Sequence, residues 1–130
     1  MKVNEKTRQK LIKNLEEWLE LTLDIARDTI EEMRHAISVE DLMNLKKRLL
    51  IDLLDLPLSS TECYFCIELG LDDVEEPEKI CKDCPYAEHH GICSVMNSSW
   101  RKIIDSLYEL QNLIDKEYYR DEKYESPKRD

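Results

Sequence analysis

The chain predicts an all-α fold, a three-helix bundle with a cysteine-rich knuckle inserted between helices two and three. Three observations predict it. Apolar residues recur at steps of three, four and seven in three long stretches, the period of one helical face. Two glycines, four prolines and a single phenylalanine in 130 residues suit long helices better than a sheet. Five cysteines fall between the second and third stretches, together with both glycines and two of the prolines. The length is that of one domain. Within it, residues 1–57 hold helices one and two, 58–96 the insert, 97–120 helix three and 121–130 a polar tail.

The first helix is predicted from about Asn4 to Ile37. Ile12, Leu19, Leu23, Ala26, Ile30, Met33 and Ile37 form its main stripe, and Leu11, Leu15, Trp18, Thr22 and Ile25 widen it on one side. Ser38, with Asp41 three residues later, reads as a capping sequence that opens helix two. Leu42, Leu45, Leu49, Leu53 and Leu56 form the stripe of that helix, and Pro57 stops it. Helix three starts after Asn97, Ser98 and Ser99, any of which can cap it. Its stripe is Trp100, Ile103, Leu107, Leu110, Ile114 and Tyr118.

No stretch of 18 apolar residues spans a membrane, and the N-terminus has no apolar core of a signal peptide. The expectation is a cytoplasmic protein with reduced thiols. Charge is uneven. Residues 1–57 carry a net −2, residues 58–96 a net −7 and residues 97–130 a net −1, so most of the overall −10 surrounds the cysteines. Asp72, Asp73, Glu75, Glu76 and Glu78 read as a solvated acidic loop within the insert.

The cysteines are Cys63 and Cys66, Cys81 and Cys84, and Cys93. Each C-x2-C pair can turn two thiolates toward one ion, and two pairs complete a tetrahedron. Cys63, Cys66, Cys81 and Cys84 are the simplest zinc set. Cys93 can replace Cys81 or Cys84, and His89 or His90 can supply a nitrogen. An iron–sulfur cluster is the alternative cofactor, suggested by Cys84-Pro85 and the later Cys93. Disulfides are a third possibility if the source is hyperthermophilic. The reading favours a structural zinc, because few large apolar groups in residues 58–96 offset an ordering cost of about 1–2 kcal/mol per residue. Saturated thiolates leave no open position for catalysis, and the His-x-Glu of zinc deaminases is absent.

The spacing Cys63, Cys66, Cys81, Cys84, Pro85, Gly91, Cys93 resembles that of small uncharacterised phage and archaeal proteins with a metal-binding segment. The resemblance covers about 31 residues, leaves the helices outside, and implies zinc without an activity. The stretch from Cys81 to Tyr86 also resembles the cluster-binding end of RecB-type nucleases of recombination and CRISPR adaptation. The last spacing is longer here and the nuclease core is missing, so nuclease activity is not carried over.

Elsewhere the residues read as structural. His35 is a solvated helix residue, Lys46, Lys47 and Arg48 face solvent, and Tyr118, Tyr119 and Tyr124 pack against the bundle. There is no phosphate loop and no nucleophile–base pair. The insert has two basic residues, Lys79 and Lys82, against nine acidic ones, which opposes nucleic acid. The expected protein is therefore a non-enzymatic module that offers an acidic surface to a protein partner, with an iron–sulfur or thiol redox protein as the alternative. The long first helix outreaches its neighbours, and a homodimer through it is expected.

Overall fold

Three short polar side chains start the three long helices. Asn4 Oδ1 accepts the N–H groups of Lys6 and Thr7 at 3.0 and 3.4 Å. Ser38 Oγ accepts from Asp41 N at 3.0 Å, as its place in the sequence predicts. Ser98 Oγ accepts from Arg101 N at 3.1 Å. Each bond satisfies an N–H that a helix end otherwise leaves without a partner.

The computed structural model describes residues 1–70 and 81–118. Among these, α1 spans Glu5–Arg34, α2 Val39–Asp52, α3 Tyr64–Glu68, α4 Pro85–His90 and α5 Ser99–Leu113. A 3-10 turn at Ser60–Glu62 leads into α3, another at Cys81–Asp83 leads into α4, and a π-helical turn at Ile114–Tyr118 follows α5. The described residues contain no strand, so the fold is all-α. It has five described helices rather than three, because the insert forms two of its own. The acidic loop from Asp72 to Glu78, Tyr119, Tyr124 and the tail lie outside the described residues. No described helix is long and apolar enough to cross a membrane.

Packing divides the chain into two compact units. The first draws on Met1–Glu20 and Leu56–Leu107, the second on Leu21–Asp55 and Tyr108–Asp130. In the first, Ile67, Cys84, Thr7 and Ser98 are buried. In the second, Thr29 is buried and its Oγ1 donates to Ile25 O at 3.0 Å.

The helical stripes pack only partly as expected: on α2 Leu45 and Leu49 are half-buried, while Leu42 and, beyond its end, Leu53 and Leu56 are exposed. On α1 most of the stripe taken as a widening is packed: Leu11, Leu15, Trp18 and Thr22 are half-buried, Ile25 is exposed, and Thr7 and Thr29 extend the same side, while Ala26 and Met33 of the main stripe are half-buried. Ile12, Leu19, Leu23 and Ile30, expected to form the core face, are 43, 49, 41 and 42% exposed. On α5 Trp100 and Leu107 of the expected stripe are half-buried, as is Ile114 just after it, joined by Ser99, Arg101, Ile104 and Gln111, while Ile103, Leu110 and Tyr118 are exposed, so Tyr118 does not pack against the bundle as expected. Helix two ends at Asp52, five residues before Pro57. Lys46 to Arg48 do not simply face solvent. Lys47 Nζ lies 2.7 Å from Asp115 Oδ1 with its side chain 12% exposed, and Arg48 pairs with Glu32 at 2.5 Å. His35 is exposed, as expected, and its Nε2 lies 3.2 Å from Glu31 Oε1.

Ser98 carries more than its cap. Its Oγ also donates to the carbonyl of Cys93 at 2.9 Å, tying the loop after α4 to the start of α5. Ser98→Ala removes a cap and leaves a carbonyl without its donor, and should cost about 2 kcal/mol in chemical denaturation. Ser99→Ala, at a less buried position, should stay within about 0.5 kcal/mol.

Candidate metal centre

Two short segments of different sequence fold the same way. Residues 60–68 form a 3-10 turn, then Cys63 as an extended N-cap residue, then α3. Residues 81–90 form a 3-10 turn, then Cys84 as an extended N-cap residue, then α4 with Pro85 in its first turn. An acidic residue precedes each capping cysteine, Glu62 or Asp83, and an aromatic ring follows two residues later, Phe65 or Tyr86. The two rings lie 6.3 Å apart between centroids. Each helix runs out into a glycine with positive φ, Gly70 at 71° and Gly91 at 81°, a conformation other residues adopt at a cost. A side chain at Gly91 would also press on Ser98, whose Cβ lies 3.3 Å from the position of its first carbon.

Polar side chains of α1 and α5 hold the first of these segments. Asn14 Nδ2 donates to Thr61 O at 2.6 Å, and Trp100 Nε1 donates to Leu58 O at 2.6 Å. Glu68 accepts from Thr7 Oγ1 and from Asn4 Nδ2, and the Tyr64 hydroxyl accepts from Asn4 N at 2.8 Å. These anchors are the residues that the sequence reading missed. A heptad step from Thr7 to Asn14 on the packed side of α1 was their one available signal.

The turns bring the thiols together. Cys63, Cys66, Cys81 and Cys93 line one cavity of about 590 Å³, with Leu58 and Trp100 among its apolar walls. Cys84 is buried, and with Cys81 it lines a second cavity of about 530 Å³. No disulfide joins any of the five. The Cys66 thiol donates to the Cys63 sulfur, and this bond, opposed by burial and helped by the N–H groups of Cys66 and Phe65, lowers Cys63 to about 6. The same bond, then burial and the negative charges of Cys63, Cys93 and Cys84, raise Cys66. Burial first, then Cys63, Cys84 and Cys81, raise Cys93. All five sulfurs thus lie within one electrostatic neighbourhood.

This convergence stops short of a formed ligand set. Among the described residues, no three His, Cys, Asp or Glu side chains are gathered as a group that could hold a metal ion. The histidines do not complete one. Neither His89 nor His90 lines either cavity. The His90 ring stacks on Tyr86 at 4.4 Å, and its Nδ1 lies 3.2 Å from Ser99 Oγ. The donor chemistry nevertheless fits a thiophilic ion, since thiolates suit zinc and iron–sulfur clusters.

Compared with known proteins, the chain matches no family model, no curated protein and no solved structure.

The Cys63–Cys66 pair releases its first proton near pH 6 and retains the second. Below that pH the pair is a dithiol, and above it one thiolate is exposed to electrophiles. In reduced, chelator-treated protein, iodoacetamide labelling of this pair should rise through about pH 6 and level off by pH 7. Labelling that rises only above pH 8 would contradict the shared-proton arrangement.

Proposed function

We propose that the protein is a small non-enzymatic zinc-binding module that acts by binding another protein. The observation that carries the reading is that four thiols, Cys63, Cys66, Cys81 and Cys93, line one cavity, that none of the five is in a disulfide, and that the first turn is held to α1 and α5. Cys63, Cys66 and Cys81 supply three sulfurs, and Cys93 on the same cavity or the buried Cys84 supplies the fourth. A structural zinc contributes on the order of 10 kcal/mol of coupled binding and folding, which offsets the ordering of an insert with little apolar area. The −7 net charge of residues 58–96 suits a basic protein surface and opposes nucleic acid.

One alternative draws on the Cys63–Cys66 pair. A thiolate sharing a proton with a neighbouring thiol is poised for disulfide exchange, which favours a thiol redox or sensor protein over an inert staple. An iron–sulfur protein belongs to the same alternative. Metal content and colour of protein purified without oxygen separate these readings: one zinc per chain supports the module, whereas iron with sulfide supports the cluster.

Cys63→Ser and Cys66→Ser should lose the bound zinc. Hydrogen exchange should then speed up in Tyr64–Glu68 and Pro85–His90 while most circular-dichroism helicity stays, because α1, α2 and α5 lie outside the insert. Collapse of all helicity would show instead that the metal organises the whole chain. For the partner, neutralising Asp72, Asp73, Glu75 and Glu76 should release a captured basic protein, as should raised salt. Retention of that protein by the neutralised variant would count against an acidic docking surface.

A further inference from the structure

Beyond its own metal and partner chemistry, α1 carries a second feature. Leu19, Leu23, Ala26, Ile30 and Met33 follow one another at steps of four and three, the repeat of a two-helix seam. Leu19, Leu23 and Ile30 are each more than two-fifths exposed, Ala26 and Met33 are half-buried, and Ile37 beyond the helix end is 99% exposed. The side occupied by Leu15, Trp18 and Thr22 is packed within the chain, so the seam is bounded there. Along its outer edge run Lys13, Glu20, Arg27 and Arg34, all exposed.

We propose that a second copy of this chain covers the seam, its α1 antiparallel to the first and the two-fold axis passing between Asp24 and Ile25. Two observations select this occupant and this direction. The first is charge. In an antiparallel pair the outer edges face each other, and this register brings Glu20 to within two residues, about 3 Å along the axis, of Arg27 of the other copy, twice by symmetry. At the ends Lys13 faces Arg34, but Arg34 is already held by Glu31 at 3.3 Å in its own chain. The second is packing. The register sets Leu19 against Ile30, Leu23 against the small Ala26, and Glu16 against the flexible Met33. A parallel pair in register would instead set Glu16 against Glu16 and leave a gap between two Ala26 methyl groups.

The test is a charge-swap cycle on the full-length protein, read by sedimentation equilibrium at micromolar concentration with circular dichroism as a folding control. The wild type should sediment at twice the 15.5 kDa chain mass. Glu20→Arg and Arg27→Glu should each weaken the dimer roughly tenfold, and the double variant should recover most of that loss. Leu23→Glu should give a folded monomer. A monomeric wild type would overturn the proposal and leave the seam to a different partner. A dimer that ignores the single charge reversals, or is not rescued by the double variant, would overturn this pairing in favour of another interface.

Discussion

A run of backbone around Cys63 has to be held in place with very little apolar burial, and the rest of the candidate site depends on how that is done. Ile67 and Cys84, 9 and 7% exposed, are the only buried apolar residues among those described. The work falls to polar groups. Asn14 and Trp100 satisfy the Thr61 and Leu58 carbonyls, and Thr7 and Asn4 bind the Glu68 carboxylate. The Trp100–Leu58 and Thr7–Glu68 bonds are part-buried and costlier to break than the exposed Asn14–Thr61 and Asn4–Glu68 bonds. The first turn therefore has a defined position before any ion is considered. The second is tied in through the contact of Tyr86 with Phe65 and of His90 with Ser99.

Element type was legible in the sequence, while the facing of the elements was less so. The helix start at Ser38 follows from capping chemistry, and Ser98 is one of the three caps the sequence offered for the last long helix. The inward faces were displaced because α1 carries two adjacent apolar stripes. Periodicity finds both, but only the neighbours decide which is covered. The same reason explains the step from Ile103 to Ile104 on α5. Lys47 looked like surface because its partner Asp115 is 68 residues away in sequence, a pairing that no local pattern reveals.

The site was legible as a set of residues but not as an arrangement. Spacing brought out all five cysteines. It gave no sign that Cys63 and Cys84 cap two like turns, since the two segments share only their acidic, cysteine and aromatic positions. Nor did it show that Cys93 lines the same cavity as Cys63 and Cys66 while both histidines lie elsewhere. The cavity walls thus offer four thiols and the Glu62 carboxylate, and neither His89 nor His90. The reading of this chain rests on that chemistry and on the acidic charge around it.

The central claim is that these thiols together hold one ion. X-ray absorption at the zinc edge of protein loaded with one equivalent tests it most directly. The account predicts a first shell of four sulfur atoms at about 2.3 Å. A shell in which nitrogen or oxygen makes up half the neighbours, or zinc that binds without sulfur contacts, would contradict it.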